Sequence, residues 1–348
     1  MRWDNLTAPP VEGDPERAAP ATPPLPLALP GAIARTFDTP EFAGMTFYEV
    51  QAKSILNRLP GQSRVPFEWT INPYRGCSHA CRYCYARSTH TYLDLDAGAD
   101  FDRKVIVKVN AGELVRRELA APKWRGAHVA MGTNVDCYQR AEGRYRLMPQ
   151  IIAALRDFAN PFSILTKGTL ILRDLPLLRQ AAEVTTVGIS FSVGFVDEQL
   201  WRSVEPGTPS PRRRLDAVRA LTDAGFSVGV LMAPILPGLS DSDESIDATV
   251  SAIAAAGATS VTALPLHLRS GAREWYAQWL AREHPHLVPR YRELYRAGAY
   301  APQAYQRELT ARVRIASRRH GLHRGERGDN RSLPEPPAAP ASEQLTLL

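Results

Sequence analysis

Short apolar runs rich in β-branched residues alternate along the middle of this chain with longer stretches in which apolar positions recur every three or four residues. Phe67–Ile71, Ala127–Gly132, Phe162–Thr166, Thr185–Ser192, Ser227–Met232 and Ser260–Leu264 predict six strands. Helical patterns fall near 111–120, 148–158, 174–182, 211–224, 243–256 and 273–282, each long enough for a crossover between parallel neighbours. Repeated βα units predict a parallel sheet or a barrel. Asp223-Ala224-Gly225 and Ala256-Gly257 put glycine where helices stop, just ahead of the next strand. In such folds the reacting groups gather in the loops beyond the carboxyl ends of the strands.

The two ends break this pattern. Residues 8 to 30 carry eight prolines among many alanines, a composition that favours extended, solvated backbone. Residues 1–36 are therefore expected to form a disordered Pro/Ala-rich leader. Pro334, Pro336, Pro337 and Pro340 repeat the theme, so 328–348 is expected to be a flexible tail. Between them, 37–285 holds the core with its lead-in and 286–327 a basic helical extension.

Composition narrows the class. With 348 residues, 44% of them apolar, the chain is long enough for one barrel-sized core. The formal charge of +6 points to an anionic partner. Three of the four cysteines lie within eight residues, the wrong layout for a disulfide framework and the right one for a metal. Met1-Arg2-Trp3-Asp4-Asn5 leads into prolines and acids rather than an apolar leader core, and no run of about 18 apolar residues offers a membrane span. The cytoplasm is the expected compartment, with no membrane partner.

The clustered thiols stand in Asn72-Pro73-Tyr74-Arg75-Gly76-Cys77-Ser78-His79-Ala80-Cys81-Arg82-Tyr83-Cys84-Tyr85, immediately after the first predicted strand. Soft thiolates select zinc, copper(I) or iron–sulfur clusters. A structural Cys3His zinc site, with His79 or His90 as fourth ligand, satisfies this composition and makes the chain a non-catalytic adaptor. A cubane held by Cys77, Cys81 and Cys84 instead leaves one iron open to bind a small molecule, which implies chemistry. The spacing C-x3-C-x-aromatic-C, with Tyr83 as the aromatic, resembles the signature of the radical S-adenosylmethionine (SAM) superfamily.

The resemblance covers roughly residues 50 to 270 and is to the spore photoproduct lyase and DNA repair photolyase-like branch. It is carried by Gly132-Thr133-Asn134-Val135-Asp136, Leu165-Thr166-Lys167, Phe191-Ser192, Glu205-Pro206-Gly207-Thr208-Pro209-Ser210 with Arg214-Leu215, and Ala233-Pro234-Ile235. It implies an α/β fold, the open, partial (βα)6 TIM-like barrel of radical SAM enzymes. It implies a [4Fe–4S] cluster and SAM as cofactors, an external one-electron reductant of flavodoxin or ferredoxin type, and hydrogen abstraction by a 5′-deoxyadenosyl radical. Gly132, Thr133 and Asn134 take the place where the family contacts the methionine amino group; Lys167 and Ser192 take that of its carboxylate and ribose.

The lyase uses a cysteine near the second-strand end as hydrogen donor, where Gly132 stands here. Cys137, about five residues later, is the candidate for a catalytic thiol that quenches a radical, against the alternatives of a labile ligand and an inert buried thiol. Thymine-dimer repair is not inherited with the resemblance. DNA or a damaged nucleotide is the expected substrate, with a peptide or metabolite as the alternative. Residues beyond 265, including His267, Arg269 and the Trp275–Leu280 stretch, look like an uncharacterised actinobacterial family within this branch.

Gln344-Leu345-Thr346-Leu347-Leu348 resembles the pentapeptide by which bacterial DNA enzymes dock on the replication sliding clamp. Its leucines suit an apolar groove and its glutamine a polar anchor, on a Pro/Ala tether. The basic run Arg312, Arg314, Arg318, Arg319, His320, His323, Arg324 and Arg327 ahead of it suits phosphates, or a solvated helix face.

Overall fold

Eleven strands organise the described residues: β1 (Ile33–Arg35), β2 (Thr46–Val50), β3 (Leu56–Arg58), β4 (Trp69–Ile71), β5 (Tyr74–Arg75), β6 (Lys104–Lys108), β7 (Val129–Met131), β8 (Phe162–Thr166), β9 (Val187–Ser192), β10 (Val228–Ile235) and β11 (Ser260–Pro265). The computed structural model describes residues 29–60 and 65–322. Of the expected leader 1–36, residues 1–28 lie outside the described residues, whereas 29–36 are ordered, with Leu29 and Ala32 buried and Ile33–Arg35 paired antiparallel with β2, because these apolar positions find a sheet edge to pack on. The tail, its terminal peptide and the basic residues His323, Arg324 and Arg327 lie outside the described residues.

The larger sheet runs β11-β10-β9-β8-β7-β4-β3. Its six strands from β4 to β11 are parallel, and β3 adds an antiparallel margin against β4. These six are the strands expected from the sequence. Ala111–Leu119, Leu147–Asp157, Leu175–Val184, Pro211–Asp223 and Asp243–Ala255 are the longer helices between them. Ser210 and Ser242 cap two of these helices by accepting the backbone N–H of Arg213 (3.3 Å) and Ser245 (3.1 Å). Gly225 and Gly257 terminate the same two at φ +95° and +80°.

A second sheet, β1-β2-β6-β5, is not foreseen by the hydrophobic pattern. It matters for the site because β5 leads straight into the cysteine loop and is tied antiparallel to β6, with Tyr74 opposite Val107.

One apolar core fills the interior of the larger array, with Ile71, Met131, Ile164, Ile189 and Val230 from successive parallel strands all buried. A separate core packs Cys81 and Tyr83 with Tyr276, Trp279 and Leu280 of the helix Ala272–Glu283. The carboxyl-terminal helices thus brace the cysteine loop from behind. Gln303–Arg319 lies on Asp243–Ala255 and β11. Among the described residues, no helix is long and apolar enough to cross a membrane.

Candidate active site

The cysteine loop leaves β5 through Gly76, whose φ is +82°. A Cβ there would meet the Lys104 carbonyl oxygen at 2.6 Å and the His90 ring at 2.9 Å, so glycine alone lets the chain turn in this gap. The Cys77 N–H then donates to the Phe101 carbonyl (2.9 Å), that of Arg82 to Val204 (2.9 Å) and that of Cys84 to Cys81 (3.2 Å).

Two fully buried side chains complete the frame. Gln139 accepts the Ser78 N–H and donates to the Gly76 carbonyl, each at 2.9 Å. Arg87 donates to the Cys81 carbonyl (2.9 Å), the Gly98 carbonyl (2.8 Å) and Asp102 Oδ1 (2.7 Å), with its guanidinium 4.9 Å from the Trp275 ring. A buried cation held by that many acceptors fixes the loop before any ligand arrives.

Cys77, Cys81 and Cys84 are free thiols lining one cavity of about 680 Å³. Burial pushes all three thiols above their ordinary range, so a metal core that binds them must displace protons. Three soft donors around one roomy cavity fit an iron–sulfur cluster. A single zinc ion, about 2.3 Å from each thiolate, asks for tighter convergence. Among the described residues no three His, Cys, Asp or Glu side chains converge in that way. Of the two expected fourth ligands for zinc, His90 is off the cavity wall, beneath Gly76 with Nε2 2.9 Å from the Lys104 carbonyl, whereas His79 lines the cavity with Nδ1 3.4 Å from Asp136.

The loops beyond β7 and β8 and the last residue of β9 bring Gly132, Thr133, Asn134, Lys167 and Ser192 to the same cavity. Gly132 has φ +74°, and a Cβ there would run into the Leu165 carbonyl oxygen of β8. Asp136 ties this loop to the next: its Oδ1 accepts the Thr166 hydroxyl (2.7 Å) and its Oδ2 the Lys167 N–H (2.6 Å). Lys167 Nζ donates to Ser192 Oγ, which itself donates to the Ala233 carbonyl at 2.8 Å.

Behind Lys167 lies a residue to which sequence reasoning gave no role. Glu205 is wholly buried and accepts from the Tyr83 hydroxyl and from Arg214, with Lys167 Nζ 3.3 Å from its Oε1. Burial by itself raises this carboxyl, but Arg214, Lys167 and the Tyr83 hydroxyl outweigh it and hold it at about 2. Arg214, also buried, donates to the Ser192 carbonyl at 2.9 Å. One carboxylate therefore connects the aromatic of the cysteine loop with the lysine and serine at the ends of β8 and β9. Tyr85, likewise unassigned from sequence, lines the cavity and donates its hydroxyl to the Thr133 carbonyl.

Cys137 is placed elsewhere. The turn closed by the Tyr138 N–H on Asp136 Oδ1 (2.8 Å) carries it into the main core, fully buried and off the cavity wall. His267 and Arg269 do line the cavity.

The chain matches the Radical SAM superfamily over residues 71–250. An uncharacterized protein of Mycobacterium tuberculosis (strain ATCC 25618 / H37Rv) is 50% identical over 325 residues, 92% of this chain and 94% of that one. Another, of Methanocaldococcus jannaschii, is 28% identical over 195 residues, 56% and 69% of the two chains. Among solved structures, spore photoproduct lyase complexed with dinucleoside spore photoproduct aligns with a TM-score of 0.60 over 79% of each chain, at 16% identity. That likeness is one of fold, and the fold is the open parallel array in which the thiol loop follows the first parallel strand. Sequence match, near full-length relative and architecture agree: the chain belongs to the radical SAM superfamily, a family of enzymes that implies a [4Fe–4S] cluster and SAM.

Proposed function

We propose that Cys77, Cys81 and Cys84 hold the cluster, that Gly132–Asn134, Lys167 and Ser192 hold SAM beside it, and that the substrate is nucleic acid. The observation that carries this reading is the shared cavity: three thiols and the Lys167–Ser192 pair line one space, tied through Tyr83 and Glu205. When bound, the two cofactors supply one-electron reductive cleavage of the sulfonium and hydrogen abstraction from a substrate. An external reductant of flavodoxin or ferredoxin type delivers the electron.

The protein's own part is to bind and orient. The Lys167 ammonium offers a point charge to a carboxylate, and its own orientation is set by Glu205 and Ser192. The Ser192 hydroxyl is held by the Ala233 carbonyl and still has acceptor capacity. Tyr83, with its ring 5.7 Å from Lys167 Nζ, closes the space between the loop and the lysine.

Charge favours a nucleic acid over a neutral metabolite. The net charge is +6, and a second cavity of about 140 Å³ shares Asn57, Asn72 and Asn134 with the first. Lys53, Arg75 and Lys108 stand on its wall, chemistry suited to a phosphate. The solved relative in fold binds a dinucleoside photoproduct, which agrees in substrate class.

The test is anaerobic reconstitution with iron and sulfide, reduction, and assay of 5′-deoxyadenosine with single-stranded oligonucleotides, peptides or small-molecule extract added. Product formation stimulated by oligonucleotides is expected. A fully loaded protein that releases no 5′-deoxyadenosine overturns the cleavage, and stimulation by peptides or extract alone overturns the substrate class.

A further inference from the structure

Beyond the cofactor-binding residues, the cavity has a rim that SAM cleavage by itself does not need. β11 ends at Pro265, and His267 then forms an isolated antiparallel bridge with Tyr300, while the Leu268 N–H donates to the Ala299 carbonyl at 2.7 Å. The segment around residue 300 is thereby stitched to the mouth. The His267 ring stacks on that of Tyr300, with centroids 5.6 Å apart and planes 24° from parallel. It also lies 5.6 Å from the ring of Tyr85, which lines the cavity. Three rings thus run from the cavity wall outward.

The outermost ring is not covered. Tyr300 is 53% exposed, one of few large apolar side chains so placed among the described residues. It is nevertheless fixed in direction, because Arg269 donates to its hydroxyl at 3.0 Å while the guanidinium lies 5.8 Å from the Tyr85 ring. An exposed aromatic face preorganised beside an exposed arginine is the pairing by which proteins hold single-stranded nucleic acid, base on ring and phosphate on guanidinium. Ordering such a ring in advance removes part of the entropic cost of binding.

We infer that Tyr300, His267 and Arg269 form a subsite that stacks the nucleobase next to the reacting nucleotide and takes its phosphate on Arg269. The substrate of this subsite is therefore a single-stranded or unpaired stretch of at least two nucleotides, and a free nucleoside leaves it empty. The inference rests on the nucleic-acid reading above and narrows it.

The test uses the anaerobic, cluster-loaded, SAM-bound protein and a labelled short oligodeoxythymidylate, with binding followed by fluorescence anisotropy. Tyr300→Leu keeps apolar bulk and removes the π face, and is expected to weaken binding roughly tenfold, within the range for one stacked base. Tyr300→Phe retains most of the affinity. An abasic position scanned along the oligonucleotide should weaken the wild type by a similar factor at one position and leave Tyr300→Leu unaffected there. Arg269→Gln should lower the salt dependence by about one phosphate contact.

If the Leu variant and every abasic position weaken binding independently, so that their factors multiply, no base lies on Tyr300 and the subsite is refuted. Wild-type protein that binds no oligonucleotide, yet makes 5′-deoxyadenosine with another substrate, removes the nucleic-acid reading along with it. Thermal melting of each variant identifies any loss that comes from unfolding.

Discussion

Replacing Glu205 by Gln isolates the electrostatic tie at the centre of the site. The amide keeps the size and one acceptor but removes the charge, leaving Arg214 and Lys167 facing each other across a buried space. Two routes give the magnitude. Removing one partner of a buried ion pair costs about 3–5 kcal/mol. Holding the carboxyl at about 2 rather than its ordinary 4.5 corresponds to roughly 3 kcal/mol of stability at neutral pH.

The agreement predicts a loss of about 3 kcal/mol, or roughly 5–10 °C in melting temperature for a chain of this size. The sign of the pH dependence follows. Because the folded value is depressed, the contribution is fully present above about 4.5 and fades as pH falls toward about 2. Thermal unfolding of both proteins by circular dichroism should therefore show a constant gap from pH 8 to pH 5 that narrows only in stronger acid. A gap below about 1 kcal/mol, or one that closes between pH 8 and pH 6, would falsify this account of Glu205.

Other substitutions probe the loop and its surroundings. Cys81→Ala should abolish iron and sulfide incorporation, whereas Cys137→Ala should retain both; iron loss in the second variant, measured colorimetrically, makes Cys137 a ligand after all. Gly132→Ala must tolerate both a positive φ and a collision with the β8 backbone, while Gly225→Ala faces a positive φ in open space. Urea unfolding should show about 1 kcal/mol lost at Gly225 and clearly more at Gly132, and equal losses contradict the close approach of β7 and β8. Deleting residues 344–348 should abolish capture on the bacterial sliding clamp, and undiminished capture discards that docking peptide.

The parallel strands are legible in the sequence because each is a continuous apolar run bounded by turn residues. Phe162–Thr166 has the bounds its pattern predicts. β10 runs past Met232, its predicted end: the chain shifts register between Met232 and Ile235 and continues through Pro234. The second sheet leaves no such trace: β5 has two residues, and β2 pairs with β6 across more than fifty positions.

Within the site, the three thiols are conspicuous because they share one short loop. Glu205 is not, because Tyr83 and Lys167 come from separate parts of the chain and meet it only in the folded state, and nothing about the nearby Arg214 shows that it and Glu205 are both buried. Arg87 misleads in the same way, since a lone arginine among Ser, Thr and His suggests a surface group, whereas here it is wholly enclosed. Cys137, prominent as the odd thiol, belongs to the core.

Among the described residues the larger sheet does not close on itself, with β3 at one margin and β11 at the other. In a sealed cylinder every reactant must come and go through the same opening, and its size is capped by that opening's diameter. A sheet with a gap in its circumference sets no such limit by its strands alone, because the strand ends are not enclosed on every side.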